Sequence, residues 1–140
     1  MDDRGHEIEL GRQFAAALDA SDFDRVKAFI AVDCRYSRPG QETLVGPAAI
    51  VASYRESDAR ARRDFDVLGY RSDLEPDPAG GIRLNFFDDL GCGGATHTFR
   101  CAQIVYFDGT RMIKRIELAE LPGERERLSE FCTSHGIHLH

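Results

Sequence analysis

The sequence predicts an α+β fold: a mostly antiparallel sheet packed on three N-terminal helices, plus a C-terminal helix. Two observations predict this class. Apolar residues recur at helical spacing in the N-terminal part of the chain, and long strand patterns begin at Phe65. The 140 residues, 42% of them hydrophobic and 30% charged, suit one globular domain spanning residues 1–140.

The first two helices are predicted from periodicity and capping. Ile8, Phe14 and Leu18 share one helical face, which predicts a helix over about Glu7–Asp19. Ser21 is a favourable N-cap for the second helix. That helix is expected to bury the apolar residues Phe23, Val26, Phe29 and Ile30.

A short strand and a third helix come next. Residues 32–38 alternate, which predicts a half-buried strand with Val32, Cys34 and Tyr36 on one face and Arg38 at its end. The third helix begins at Gly46-Pro47, because proline is favourable in a first helical turn. Its predicted buried face consists of Ile50, Val51 and Tyr54.

The rest of the chain alternates as strands before a last helix. The predicted strands are Phe65–Glu75, Ile82–Asp89, Thr96–Phe107 and Met112–Leu121. Gly69 is a candidate bulge position, and Asp108-Gly109 is typical of a two-residue hairpin. The last amphipathic helix is predicted over about Glu124–Ser134.

The hairpin predicts a register for the last two strands. If Phe107 pairs with Thr110, then Gln103 faces Lys114 on the inner, more apolar face, and Arg100 faces Glu117 on the other. The apolar residues of the outer face suggest a homodimer contact: Ile104, Tyr106 and Ile113. A slip of one residue would exchange the two faces.

Composition excludes several classes of partner. The formal charge of −6, with no basic run longer than Arg62-Arg63, argues against nucleic-acid binding. No apolar stretch approaches the roughly 20 residues of a membrane span, and the polar N-terminus is unlike a secretory signal. We therefore expect a cytoplasmic protein with no membrane partner and no cofactor. Its four scattered cysteines are expected to be reduced thiols: Cys34, Cys92, Cys101 and Cys132.

A small-molecule pocket is predicted where polar side chains fall on apolar faces. Such groups need partners or ligands when buried. The alternation does not decide between Asn85 and Asp88, because Phe86-Phe87 are apolar in both phases. The predicted ligand-binding residues are Tyr36, Arg38, Tyr54, Asn85 and Gln103. The catalytic candidates are His97 at the pocket rim and Asp88, each acting with Tyr36.

Each candidate also has a structural explanation. Tyrosines on apolar faces, such as Tyr36 and Tyr54, are more often core residues with one satisfied hydroxyl. Gln103 is equally compatible with a hydrogen bond across the sheet. Arg38 could form a surface pair. The C-terminal tail holds four metal-capable side chains beside a helix end, a poor arrangement for structural zinc, so no metal site is expected: Cys132, His135, His138 and His140.

Several short segments together resemble the nuclear transport factor 2-like superfamily, in its SnoaL-like and ketosteroid isomerase-like branch. They are Ala20–Asp24, Asp33–Tyr36, Gly46–Ile50 and the strand pair around Asp108-Gly109. The resemblance implies a cone of helices and sheet around a pocket. It identifies a fold and not an activity, because relatives isomerise, cyclise, hydrolyse or only bind.

The resemblance also constrains the chemistry. The resemblance places the tyrosine of ketosteroid isomerase on Phe14, its base on or near Arg38 and its acid on or near Gln103, and none of these residues supplies that chemistry. In the manner of SnoaL-like cyclases, His97 or Asp88 could act as the acid–base group. Arg38 and Asp88 supply only part of the Asp-Arg-Asp set of limonene epoxide hydrolase-like enzymes.

Three functions remain as hypotheses. The first is a SnoaL-like domain that binds a small, largely apolar ligand in the cone pocket. The second is a general acid–base enzyme, an isomerase, cyclase, hydratase or epoxide hydrolase, acting through His97 or Asp88 with Tyr36. The third is a homodimeric protein-interaction module that uses the outer sheet face.

Overall fold

A computed structural model describes residues 3–137, and within them four helices and six strands follow one another. In chain order these are α1 Asp3–Asp19, α2 Phe23–Ala28, β1 Ile30–Ser37, β2 Leu44–Val45, α3 Pro47–Asp64, β3 Val67–Pro76, β4 Ile82–Cys92, β5 Ala95–Phe107, β6 Ile113–Glu120 and α4 Glu124–Ser134. None of these helices is both long and apolar enough to cross a bilayer.

The strands form one mixed sheet in the order β2-β1-β6-β5-β4-β3. Only the β1–β6 pair is parallel, and the other neighbours are antiparallel. Side chains of α1, α2 and α3 meet the inner sheet face in one core, in which Phe14, Val26, Ile50, Leu84 and Ile116 are 0% exposed. The predicted fold class, a curved sheet on three helices with a C-terminal helix, is thereby confirmed.

The junction between α1 and α2 differs from the prediction. The first helix begins at Asp3, earlier than the predicted Glu7. Ser21 is not the N-cap of α2, because its φ of 53° places it in the left-handed region; Asp22 caps the helix by accepting from the Arg25 N–H. Helix α2 also ends at Ala28, so Ile30 is buried from a strand instead.

An irregularity in β1 corrects the predicted face of Val32. The pairing of β1 with β6 shifts register between Ile30 and Arg35, so the alternation of the strand is broken there. Val32 is consequently 85% exposed, whereas Cys34 and Tyr36 are buried as predicted. Edge strand β2 was not predicted. No bulge occurs at Gly69, since the β3–β4 register is continuous.

The predicted hairpin register is wrong. Asp108-Gly109 does not form a two-residue turn: the Asp108 carboxylate accepts from the Thr110 and Met112 N–H groups, and pairing resumes only at Phe107–Ile113. Gln103 therefore faces Leu118 instead of Lys114. A shift next to Phe107 also turns Ile113 into the core and leaves Lys114 exposed, contrary to their predicted faces. Arg100 pairs with Glu124, not with Glu117.

Candidate functional site

A cavity of about 490 Å³ lies between the helices and the inner sheet face. Its walls come from α1, α3 and α4, from the first residue of α2, and from every strand except β2. The cavity therefore exists only in the assembled fold. Aromatic rings and a few polar groups line its interior: Tyr36, Tyr54, Tyr70, Phe86, Phe99, Asp19, Asp58, Asp88, Cys101 and Gln103. Residues 121–126, at the start of α4, line it as well.

Strand pairing arranges the sheet wall in rows. Across β3, β4 and β5 one row reads Tyr70, Asp88, Phe99, so the Asp88 carboxyl lies between two aromatic residues. The next row includes Phe86 and Cys101, two residues along the same face. Directly opposed residues of antiparallel strands have Cβ atoms about 4.5–5.5 Å apart. Asp88 is therefore flanked on the cavity wall by Tyr70 on one side and Phe99 on the other.

Two tyrosines and a glutamine form the other polar group of the cavity. The Tyr54 hydroxyl donates to Oε1 of Gln103 at 2.7 Å, and the ring centroids of Tyr36 and Tyr54 are 5.7 Å apart. Burial raises the pKa of both hydroxyls well above the usual range, with Cys101 adding to the effect at Tyr36. Both tyrosines therefore remain protonated. They can donate hydrogen bonds but cannot act as bases near neutral pH.

Asp88 is the group best placed for proton transfer. Burial raises the pKa of its carboxyl to about 7, and the nearby charges of Asp19 and Asp89 add to the shift. Among the described residues no side chain donates a hydrogen bond to it or forms an ion pair with it. A carboxyl that titrates near neutral pH and opens into a cavity can accept or release a proton there.

The other two aspartates of the cavity are held by neighbouring groups. Asp58 accepts from the Tyr70 hydroxyl at 2.9 Å and from Arg62 at 2.9 Å. Burial opposes its ionisation, but these hydrogen bonds keep its pKa below the usual range. Asp19 accepts from the Ser72 hydroxyl at 2.6 Å, and burial raises its pKa. The three aspartates thus differ in partners, and only Asp88 is free for a ligand.

The start of α4 closes one side of the cavity mouth through Glu124. This side chain is 4% exposed, and it accepts from the Arg100 backbone N–H at 2.8 Å and from the Arg100 guanidinium at 3.3 Å. Arg127 also donates to it. Those hydrogen bonds, led by that of Arg127, lower the pKa of Glu124 to about 2. Glu124 therefore ties α4 to β5 as a carboxylate.

The structure brings together some of the predicted site residues and not others. Tyr36, Tyr54, Gln103 and Asp88 all line the cavity. Asn85 does not, because it lies on the outer sheet face, where its amide donates to Asp73 at 2.8 Å. The alternation left this choice open, and the β3–β4–β5 register decides it in favour of Asp88.

Arg38 and His97 also lie outside the cavity lining. The Arg38 guanidinium lies 5.8 Å from the Tyr36 ring centroid and donates to the Glu42 carbonyl at 3.1 Å. His97 stacks on Phe131 of α4 with centroids 5.3 Å apart, and its Nε2 is buried without a hydrogen-bond partner among the described residues. This packing position does not support the predicted pairing of His97 with Tyr36.

Sequence reasoning missed Asp19, Asp58 and Tyr70. Asp58 stands four residues after Tyr54 and so projects from the same face of α3, a spacing that could have revealed it. Tyr70 shares a strand face with Ser72 and Leu74. A bulge at Gly69, as predicted, would have changed the face on which the residues next to it lie, so the sequence did not indicate that Tyr70 points inward. Asp19 has no such signal, because it reaches the cavity only through the packing of α1 on β3.

Thiols and metal-binding groups give the site no further chemistry. Burial raises the pKa of Cys101 to about 12 and that of Cys34 to about 11, so both are protonated. A protonated thiol is a poor nucleophile. No cluster of three or more metal-binding side chains occurs within residues 4–137. Two of the four metal-capable side chains near the C-terminus, His138 and His140, lie outside the described residues.

Comparison with solved structures shows the same cone-shaped fold at low sequence identity. A proposed polyketide cyclase of Xanthomonas campestris pv. campestris aligns with a TM-score of 0.66 and 14% identity, over 93% of this chain and 96% of that one. A proposed polyketide cyclase of Pseudomonas putida KT2440 gives 0.60 and 17%, over 85% and 94%. Bal32a, from a soil-derived mobile gene cassette, gives 0.62 and 14%, over 79% and 85%.

No family model matches the chain, and no curated protein matches it in sequence. At these identities the structural neighbours establish the fold alone. The chemistry of this chain therefore has to be argued from its own cavity.

Proposed function

We propose that this protein binds a small, largely apolar organic molecule in the cavity between its helices and its sheet. The observation that carries this proposal is the lining itself: aromatic walls and a set of polar groups surround one space of about 490 Å³. Cavities of a few hundred Å³ with this composition are the usual form of small-molecule sites. The cyclase names of two structural neighbours are consistent with such a ligand.

Filling the cavity tests this proposal. Ser53 lines the cavity from α3, whereas the adjacent Ala52 is exposed outside it. A panel of small neutral cyclic molecules is screened by thermal shift, and hits are titrated by NMR. We expect the Ser53→Leu variant to weaken binding of the hits about tenfold or more by occupying the space. The matched variant Ala52→Leu should bind as the parent does. Equal binding by both variants would place the ligand elsewhere and refute the proposal.

A second candidate function is general acid–base catalysis, and Asp88 favours it. Its carboxyl has a pKa of about 7 and no protein partner among the described residues, while the hydroxyl of Tyr36 and the amide of Gln103 line the same cavity as donors. An ionised Asp88 could remove a proton next to a carbonyl group whose oxygen a protonated tyrosine binds. His97 has no part in this version, because it packs outside the cavity.

Exchange of protons for deuterium in a cyclic ketone tests the catalytic version. In D₂O, NMR should show exchange of the α-protons above the buffer rate, and Asp88→Asn should reduce the enzyme-dependent rate about 100-fold or more. The rate should rise with pH through about 7, since only the ionised carboxylate accepts a proton. Exchange that is unaffected by Asp88→Asn would remove Asp88 from the mechanism.

The predicted homodimer remains a proposal. Ile104 and Tyr106 lie half-buried on the outer face of β5, and the Arg115 guanidinium lies 3.9 Å from the Tyr106 ring centroid. Ile113, which the prediction placed there, is in the core. The apolar part of that face is therefore smaller than predicted.

A further inference from the structure

We infer that the molecule bound in this cavity carries a positive charge: an amine or quaternary ammonium group seated on Asp88 between aromatic rings. This inference rests on the proposed function and specifies the class of its ligand. Three features of the cavity support it, namely the isolation of Asp88, the charge of the lining and the rings that flank the carboxyl.

The first feature is a carboxyl that the protein does not neutralise. Asp88 is half-buried and lines the cavity, yet no described cation pairs with it and no described donor bonds to it. Buried charges in proteins are ordinarily paired, because desolvation of an unpaired charge is costly. By contrast, Asp58 has Arg62 and Tyr70, and Asp19 has Ser72. A cationic ligand would supply the partner that Asp88 lacks.

The second feature is the charge balance of the lining. Six carboxyl groups line the cavity, against two guanidinium groups, those of Arg100 and Arg125. Three of the carboxylates are paired with arginines: Asp58 with Arg62, Glu120 with Arg125, and Glu124 with Arg100 and Arg127. The other three, Asp19, Asp88 and Glu126, have no cationic partner among the described residues. The lining therefore presents a negative field to a ligand, which favours a cation over an anion or a neutral molecule.

The third feature is the aromatic surround of the carboxyl. The row Tyr70, Asp88, Phe99 places one ring on each side of it, and Phe86 lies on the same face two residues along β4. The faces of aromatic rings attract organic cations, and the attraction is stronger where the contact is desolvated. Rings around a carboxylate attract an alkylammonium group more strongly than they attract a neutral group of the same shape.

The affinity of the cavity for a cation should depend on pH, because the groups around Asp88 set the pKa of its carboxyl. A quaternary ammonium does not titrate, so any change in its affinity reports the protein. Because burial raises the pKa of Asp88 to about 7, cation binding should strengthen as pH rises through this value. The titratable or charged groups that face or adjoin Asp88 are Asp19 of α1, Asp58 of α3, Tyr70 of β3, Asp89 of β4, and Arg100 and Cys101 of β5.

A pair of isosteres provides the test. Benzyltrimethylammonium and neopentylbenzene have the same shape and differ in one atom, the charged nitrogen or a carbon. Binding of each is measured by NMR titration at pH 5.5 and 8.5. At pH 8.5 we expect the cation to bind about tenfold or more tightly than the neutral probe. At pH 5.5 its affinity should fall about fivefold or more, with that of neopentylbenzene unchanged.

Two variants assign the effect to Asp88. Asp88→Asn should abolish the preference for the cation. Asp89→Asn removes a carboxylate from the same strand but from the outer face, where Asp89 pairs with Arg71 at 2.9 Å, and it should keep the preference. Equal binding of the two probes at pH 8.5, or a preference that survives Asp88→Asn, overturns the inference and leaves the proposed function standing. Binding of the cation that is as tight in Ser53→Leu as in the parent overturns both, because the bound site is then not this cavity.

Discussion

Replacing Glu124 with glutamine is expected to destabilise the protein by about 1–3 kcal/mol at pH 7. The carboxylate is 4% exposed and accepts hydrogen bonds from Arg100 and Arg127. Glutamine keeps the shape but loses the charge, and its amide donor meets guanidinium donors. Both arginine side chains are about half exposed, so solvent screens part of the ion-pair energy and limits the loss. Denaturant unfolding measures the effect.

The pH dependence separates this contribution from a general loss of packing. The folded-state pKa of Glu124, about 2, lies below its ordinary 4.5. Its stabilisation is therefore fully present above about pH 4.5 and is lost as pH falls toward 2, so the two proteins should converge in acid. Glu126→Gln is the matched control, since it also removes a first-turn acid from α4 but is exposed. A difference that stays constant down to pH 2.5 would contradict the role of the charge.

Replacing Asp88 with asparagine is expected to stabilise the protein, by about 1–3 kcal/mol at pH 8.5. Burial raises the pKa of this carboxyl from 3.8 to about 7, so its ionised form is disfavoured in the folded state. A group with a raised folded-state pKa contributes stability below its unfolded pKa and loses it as pH rises through the folded value. Asparagine carries no charge and does not incur this loss. Thermal unfolding at pH 8.5 and at pH 5 measures the gain.

Both the sign of the stability change in Asp88→Asn and its trend with pH can be tested. The gain should be largest above pH 7 and shrink as pH falls toward 4, because the parent then protonates Asp88. Asp89→Asn is expected to act in the opposite direction, with a small loss, because hydrogen bonds from Arg71 and Thr98 lower the pKa of Asp89. A loss of stability in Asp88→Asn at pH 8.5 would show that the carboxylate is neutralised in the folded protein.

A residue that destabilises the folded protein is expected to be kept for its function, because selection for stability alone would replace it. Asp88 fits this description: the same desolvation that destabilises the folded protein gives the carboxyl its pKa of about 7. Tyr54 differs, since its hydroxyl is satisfied within the protein by the side-chain carbonyl of Gln103. The Tyr54–Gln103 hydrogen bond thus stabilises the fold, whereas the Asp88 carboxyl is available to a ligand.

Local periodicity carried much of the fold. The predicted bounds of the last helix, Glu124–Ser134, coincide with those of α4, and Gly46-Pro47 begins α3 as predicted. The inner-face positions of Tyr36 and Tyr54 also followed from spacing alone. These features depend on residues close in sequence, where a helical or alternating pattern directly reflects which side is buried.

The strand register could not be obtained in this way. The loop after Phe107 is held by the Asp108 carboxylate, and the pairing shifts beside it, so Lys114 and Ile113 exchange faces relative to the prediction. Gln103 pairs with Leu118, whereas the predicted partner was Lys114. The two partners are separated by an even number of residues, and for this reason the inner residues of β5 keep their predicted face. His97 was expected at the pocket rim, but it packs on α4 because Phe131 offers a ring to stack on.

By itself the sequence determined the helices, most of the strands and the presence of polar residues on buried faces, since these follow from patterns repeated along the chain. Only the tertiary structure decided which polar residues meet. Asp88 faces the cavity and Asn85 does not because β4 is fixed between β3 and β5 in one register. Asp19 joins Asp88 because α1 packs across the sheet. The carboxyl between two rings is a product of strand pairing, which no single stretch of the chain encodes.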